Sequence, residues 1–283
     1  MSRVKFIVCL VGFLLGYNSA AVTQRRAATW NLQGSSAATE AKWTNNVRQL
    51  VVGSNAASVL ALQEAGTPPA SAQLQGNLGN RLLDPQDLRQ QVYEYKWNLG
   101  SASRPDYRWI YYTQNDLGAN RVNLALVTAV KPDHVLILRP PGDYKSVRPI
   151  LGVQFNKDNY FTIHASASGG GDAASIVNVI ANYFGSRQEY DHQFMIMGDY
   201  NRSPAELRAA LQRQHPDILN HVGIYAPATK THRNGGILDY AVIGQYSYDL
   251  PNRIAVYAVT PSLSGQLVSD HTPVVFNVAQ RDE

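Results

Sequence analysis

The chain is divided by turn residues into short runs of apolar, β-branched and aromatic residues. Several runs are apolar at every position, whereas a strand with one wet face alternates apolar and polar residues. We therefore expect strands that are covered on both faces. The predicted strands are Ala27 to Trp30, Val59 to Leu62, Trp109 to Tyr112, Leu124 to Thr128, Ile150 to Phe155, Tyr160 to Ile163, Phe194 to Met197, Tyr240 to Ile243, Ile254 to Val259 and Pro273 to Val278.

Helical periodicity appears between some of these runs. Three helices are predicted, and the third has the clearest start. Ser203 is a good N-cap, Pro204 suits the first helical position and Glu206 suits the third. Many strands with few interleaved helices predict an α/β fold, a four-layered sandwich of two packed mixed β-sheets with helices outside. The first two apolar faces are Trp43, Val47, Leu50 and Val51, and Ile176, Val177, Ile180 and Phe184.

The first 21 residues resemble a secretory signal peptide. Arg3 and Lys5 precede an apolar run from Phe6 to Leu15, which is too short to cross a bilayer, and small residues follow it. We therefore predict export, with one catalytic domain over residues 22–283. A buried strand is the weaker alternative, and no other segment looks transmembrane.

Export changes how charge and cysteine content are interpreted. The lone Cys9 lies in the predicted signal, so the mature chain would need no disulfide. Loss of two cations lowers the formal net charge from +4 to +2. Any affinity for phosphate must then come from locally placed arginines and a metal ion, since net charge contributes little.

Polar residues suited to metal binding or proton transfer stand at the strand ends. Most follow a predicted strand, whereas Asp239, Asp270 and His271 precede one. If those last strands run antiparallel to the others, all these side chains reach one edge of the sheets. The residues are Asn31, Glu64, His164, Asp199, Asn201, Asp239, Asp270 and His271.

Each residue alone has an ordinary structural explanation. Asp199 and Asn201 suit the entry to the helix at Ser203, and Asp270 suits a turn. His164 could be a satisfied core histidine, and a single carboxylate such as Glu64 is usually solvated. The functional interpretation depends on their ordered combination.

Six separated motifs carry this combination, and they resemble the endonuclease/exonuclease/phosphatase superfamily. Further stretches, KWNLGSASRP and HASASGG among them, are similar to the B subunits of the cytolethal distending toxins, whose deoxyribonuclease-like fold agrees with the predicted sandwich. The resemblance spans roughly residues 27–278. The six motifs are TWNLQGSS (29–36), QEAG (63–66), ANRVNLA (119–125), GDYN (198–201), ILDYA (237–241) and SDHTPV (269–274).

The resemblance implies an endonuclease that depends on Mg²⁺, with Mn²⁺ as a possible substitute. Glu64 would be the main metal ligand, with Asp270 and Asn31 beside it. These oxygen donors suit a hard cation, which neutralises charge on the phosphate.

The resemblance also assigns roles in proton transfer and substrate binding. Asp239 would orient His271 as the base that takes a proton from water. His164 would serve on the opposite side as the acid or as a hydrogen-bond donor to the transition state. Asp199 would orient water and phosphate. The expected substrate-binding residues are Asn31, Arg121, Arg148 and Asn201.

The same resemblance implies double-stranded DNA as substrate, delivery and cell-binding subunits as partners, and action in a host nucleus after secretion. Two alternatives remain open. A phosphatase acting on phosphatidylinositol 3,4,5-trisphosphate would use the same residues. A binding module that keeps the fold without catalysis would have lost a core catalytic group, and all of them are present.

Two positions depart from the family pattern. No glutamate stands behind His164 in the stretch Trp97 to Gly100, which leaves Glu94 as a nearby candidate partner. Tyr200 replaces the usual phenylalanine, and we expect a core aromatic ring with its hydroxyl satisfied.

Gly169 to Gly171 resembles a phosphate cradle, but a flexible helix entry explains it better. His192, His215, His221 and His232 lack zinc-ligand spacing.

Overall fold

A computed structural model describes residues 25–34, 39–83, 90–115, 122–142, 147–245, 254–258 and 269–278, without the side chains of 254–258 and 278. The predicted signal peptide and Arg121 therefore lie outside the described residues. None of the helices in these ranges combines the length and apolar character needed to span a bilayer.

Fourteen strands in the described ranges form two mixed sheets. The spatial order of the eight-stranded sheet is β13 (Ile254–Ala258), β14 (Val274–Val278), β1 (Ala27–Asn31), β2 (Val59–Gln63), β6 (Leu124–Thr128), β5 (Tyr107–Thr113), β4 (Val92–Asn98) and β3 (Ala72–Asn77). That of the six-stranded sheet is β11 (Val222–Tyr225), β12 (Asp239–Gln245), β10 (Gln193–Asp199), β9 (Asp158–His164), β8 (Ile150–Phe155) and β7 (His134–Leu138).

The helices lie where the sequence predicts them. The last of them begins with a capping box, in which Ser203 Oγ accepts from the Glu206 N–H and the Glu206 carboxylate accepts from the Ser203 N–H. The helices are α1 (Thr39–Ala41), a π-helix (Lys42–Val47), α2 (Arg48–Val51), α3 (Ala173–Ser186) and α4 (Pro204–Gln214), with 3₁₀ turns at Gly79–Arg81 and Pro216–Asn220.

Three apolar cores separate four layers, which confirms the predicted sandwich. One core, with Tyr160 and Met197, lies between the two sheets. The second packs the six-stranded sheet on α3, and Phe184 belongs to it. The third packs the eight-stranded sheet on the first helical segment, through residues such as Trp30 and Trp43.

The two covered faces explain why the strands are apolar at every position. In β10, Phe194 and Ile196 belong to the core beneath the helices, whereas Met195 and Met197 belong to the core between the sheets. Successive side chains of a strand point to opposite faces, so a strand with two covered faces needs apolar residues throughout.

A parallel pair of strands lies inside each sheet and sets the position of the site. β1 pairs parallel with β2, and β9 pairs parallel with β10. β14 and β12 run antiparallel to these pairs, so they begin at the edge where the parallel strands end. The expectation that the strand-end residues share one edge is therefore confirmed.

Candidate functional site

Six of the eight strand-end residues line one cleft of about 460 Å³, and the other two, Asn31 and Asp239, are buried and hydrogen-bonded to its lining residues. The two sheets meet beside it, because Asn31 at the end of β1 donates from Nδ2 to Asp199 Oδ2 at the end of β10, at 3.1 Å. The lining residues are Gln33, Glu64, Val122, Arg148, His164, Ala167, Asp199, Asn201, His232, Asp270 and His271.

Three of these groups come from one row of the six-stranded sheet. His164, Asp199 and Asp239 are direct neighbours across β9, β10 and β12. Residues that are direct cross-strand neighbours point to the same face of a sheet, so backbone pairing alone brings these three side chains together.

His271 is fixed by Asp239. Its Nδ1 lies 2.8 Å from Asp239 Oδ2, and its backbone N–H donates to Ser269 Oγ. Burial by itself would lower the pKa of His271, but the hydrogen bond and charge of Asp239, together with Asp199 and Asp270, raise it to about 9. The bond holds the Nδ1 proton on the Asp239 side and leaves Nε2 for other partners.

Asp199 lies between the two histidines. Its Oδ2 is 3.6 Å from His164 Nε2 and 3.8 Å from His271 Nε2, while its Oδ1 accepts from the Asn201 N–H at 2.8 Å. Burial, and then the negative charge of Asp239, raise the pKa of Asp199 to about 7. Both effects favour the protonated form of this carboxyl.

His164 is buried as a neutral ring. Burial, then the charges of Arg148 and His271, hold its pKa well below the usual 6.5. Its Nδ1 has no hydrogen-bond partner among the described residues, and its Nε2 faces the carboxylates of Asp199 and Glu64. This environment favours the tautomer with its proton on Nε2, a donor directed toward the cleft.

Glu94 is not the partner of His164. It lies on β4, where Tyr111 Oη donates to Oε2 and Lys131 Nζ donates to Oε1. This candidate was wrong, because Glu94 bonds Tyr111 and Lys131 instead, and His164 Nδ1 has no hydrogen-bond partner among the described residues. The Tyr200 expectation is correct, since the ring is buried and its hydroxyl donates to the Ile196 carbonyl at 2.9 Å.

The predicted metal ligands Glu64 and Asp270 both line the cleft, with side chains 21% and 25% exposed. Asn31 Nδ2 donates to Glu64 Oε1 at 3.3 Å. Mg²⁺ usually takes one or two carboxylates and completes its shell with water and phosphate, so this donor set fits it. Two groups in the described chain, each with ligand atoms within 4.8 Å of one another, could also hold an ion: His232, Asp270 and His271, and Asp199, Asp239 and His271.

Arg148 and Asn201 support the cleft wall as well as facing the cleft. Arg148 Nη1 donates to the carbonyls of His164 and Ala165. Asn201 Nδ2 donates to the Ala165 carbonyl at 2.9 Å. The two side chains thereby fix the backbone just after the end of β9.

Sequence reasoning missed His232. Its ring lies edge-on to that of His271, with centroids 4.7 Å apart, and its Nε2 is 3.5 Å from Asp270 Oδ2. An isolated β-bridge joins the two histidines. A search for metal-ligand spacing does not detect His232. The sequence signal for it was its place in a glycine-rich loop just before the strand that begins at Asp239.

Comparisons with known proteins agree with this geometry. Residues 28–271 match the Endonuclease/Exonuclease/phosphatase family. A Salmonella typhi homolog of the cytolethal distending toxin B subunit is 42% identical over 93% of this chain and 92% of its own length. The B subunit of the Escherichia coli cytolethal distending toxin is 40% identical over 95% and 97%.

The fold is equally similar. A chain in the crystal structure of the Haemophilus ducreyi cytolethal distending toxin superposes with a TM-score of 0.83 at 41% identity, covering 92% of this chain and 100% of that one. With the cleft described above, these matches establish that the chain belongs to the Endonuclease/Exonuclease/phosphatase family and, within it, to the cytolethal distending toxin B subunits.

Proposed function

We propose that this chain is the catalytic subunit of a genotoxin and a Mg²⁺-dependent endonuclease that hydrolyses DNA phosphodiester bonds. The observation that carries this proposal is the buried Asp239–His271 hydrogen bond, beside a cleft that is also lined by the carboxylates of Glu64 and Asp270 and by the neutral His164. The toxin assignment is supported by the names of the relatives, which are toxin B subunits.

His271 is the group that takes a proton from the attacking water. Asp239 accepts from Nδ1, which directs Nε2 away from Asp239 and stabilises the imidazolium that forms. Part of the raised pKa of His271 comes from the charges of Asp199 and Asp270, so a cation bound at Asp270 would lower it. Asp199 lies between the two histidines, where its carboxyl would orient the attacking water.

The phosphate would lie beside His164 and Arg148, which also line the cleft. His164 offers the Nε2 proton to a phosphate oxygen, and Arg148 supplies positive charge beside it. When bound at Glu64 and Asp270, Mg²⁺ would neutralise charge on the phosphate oxygens. Each group stabilises charge that grows in the transition state, where such stabilisation lowers the barrier.

The metal requirement is tested with Glu64→Gln, which removes the anionic ligand and keeps the side-chain shape. We expect nicking of supercoiled plasmid to depend on Mg²⁺ or Mn²⁺, to stop in excess chelator and to fall sharply in the variant. Glu189→Gln is the matched control, because Glu189 lies near the start of β10, at the end opposite the cleft. Undiminished cleavage by the wild type in chelator would reject the metal mechanism.

The phosphoinositide alternative uses the same cleft and is separated by substrate competition. A soluble inositol phosphate should compete weakly with plasmid if DNA is the substrate, and hydrolysis of the inositol phosphate should be slow beside nicking. The opposite order of activities would favour the phosphatase.

The proposed biology follows the same family. We infer that the chain is exported, joins delivery and cell-binding subunits and acts in the host nucleus. Introducing purified protein directly into cultured cells should produce DNA breaks without those subunits, and Asp239→Asn protein should not. Breaks that appear equally with both proteins would contradict the inference.

A further inference from the structure

The side-chain amide of Gln33 makes two hydrogen bonds to Asp270. Gln33 Nε2 donates to Asp270 Oδ2 at 3.1 Å, and Gln33 Oε1 accepts from the Asp270 N–H at 3.1 Å. The two residues are 237 positions apart. The amide therefore holds both the carboxylate and the backbone of Asp270 to the loop that follows β1.

That loop is in turn held by a buried lysine. Lys42 is 5% exposed, and its Nζ donates to the carbonyls of Leu32 at 2.6 Å and Gln33 at 2.9 Å. Burial lowers the pKa of Lys42, and attraction to the carboxylates of Glu64 and Asp270 opposes that shift. The buried ammonium of Lys42 therefore satisfies two backbone carbonyls and balances the negative charge of the nearby carboxylates.

The same loop is joined to the backbone of Glu64, the residue that carries the other carboxylate. The Gly34 N–H donates to the Glu64 carbonyl at 2.9 Å, and a Cβ on Gly34 would lie only 2.3 Å from that oxygen. Gln33 and Glu64 both have positive φ, of 48° and 46°, an uncommon conformation for residues other than glycine. Such conformations persist where the surrounding contacts hold them, as these bonds do.

We propose that Gln33 and Lys42 are positioning residues, which hold the Asp270 carboxylate and the loop bonded to the Glu64 backbone in place for binding a divalent cation. This inference rests on the proposed metal-dependent function and extends it to two residues outside the predicted site. Gln33 acts on Asp270 directly. Lys42 acts through the backbone that carries Gln33.

The test measures binding of Mn²⁺ itself, by electron paramagnetic resonance of the free ion, in purified Gln33→Met and Lys42→Met proteins. Methionine keeps the length of each side chain and removes its hydrogen bonds. Loss of a residue that orients a metal ligand costs about 10–100-fold in affinity, so we expect at least a tenfold weaker Mn²⁺ affinity in each variant. Gln33 is largely exposed, so its variant should fold even if the lysine variant does not.

Gln154→Met is the matched control. Gln154 is buried and its amide contacts His192, at the far end of the six-stranded sheet, so it should not alter Mn²⁺ affinity. The double variant should bind Mn²⁺ little worse than the weaker single variant, because Lys42 acts through Gln33. Plasmid nicking should recover at high Mg²⁺ in both single variants, which a general loss of structure would not allow.

The outcomes separate this inference from the proposed function. Wild-type affinity in Gln33→Met would overturn the role of Gln33, and wild-type affinity in folded Lys42→Met would overturn that of Lys42. A wild-type protein that nicks plasmid with no bound Mn²⁺ and no Mg²⁺ requirement would instead overturn the metal mechanism, and this inference with it.

Discussion

The hydrogen bond between Asp239 and His271 makes a sharp kinetic prediction. Asp239→Asn and His271→Ala should each reduce plasmid nicking about 100- to 10,000-fold, the usual contribution of positioned acid–base catalysis. The double variant should be hardly slower than the worse single variant, because groups that act as one unit are strongly non-additive. Nicking rates at saturating Mg²⁺ provide the measurement.

Circular dichroism and thermal unfolding must first show that all three variants fold. If the deficit of the double variant equals the product of the single deficits, the two residues act independently. His271 would then need a different partner in the mechanism.

The placement of residues at strand ends was enough to predict much of this cleft. His164, Asp199 and Asp239 could be found because each follows or begins a buried strand, and strand pairing then aligns them. Gln33 could not, since its contact with Asp270 joins two loops that are remote in sequence. Arg121 lies outside the described residues, and its phosphate-binding role stays a prediction.

At the scale of elements, the ten predicted strands are present, with ends shifted by up to two residues. Four others were missed. β3 is an edge strand with mostly exposed polar residues, and β4 carries Glu94 and Lys96, so neither is a continuous apolar run. An exposed edge strand such as β3 leaves little compositional trace. The apolar run of β7 was overlooked, although its last four residues are buried.

Gly198 is required for the close pairing of β9 and β10. Its φ is +154°, and a Cβ there would lie 2.0 Å from the Ile163 carbonyl oxygen. Gly198→Ala should therefore destabilise the fold by at least roughly 1–3 kcal/mol, the usual cost of one strained backbone residue, and should also displace Asp199. Thermal unfolding and plasmid nicking measure the two effects.

Gly171→Ala is the control for that prediction. Gly171 has open space around the position of a Cβ and lies in the loop before α3. Its variant should keep the stability and activity of the wild type. Equal losses in both variants would show that the crowding at Gly198 is not the cause.

For the whole molecule, export is a prediction from residues 1–21, which lie outside the described ranges. The family match over residues 28–271 falls inside the domain predicted for residues 22–283. N-terminal sequencing of exported protein should give a start near Ala21 or Val22. An intact Met1 on the exported chain would contradict the signal peptide.

The cleft and the buried residues that support it come from both sheets, with Asn31, Glu64 and His271 beside one and His164, Asp199 and Asp239 on the other. A chain whose two sheets have separated has no assembled site, even if each sheet keeps its hydrogen bonds. Any passage through a partly unfolded form would leave the chain inert until the interface closes. Packing of the two sheets against each other would then be the folding step that restores activity.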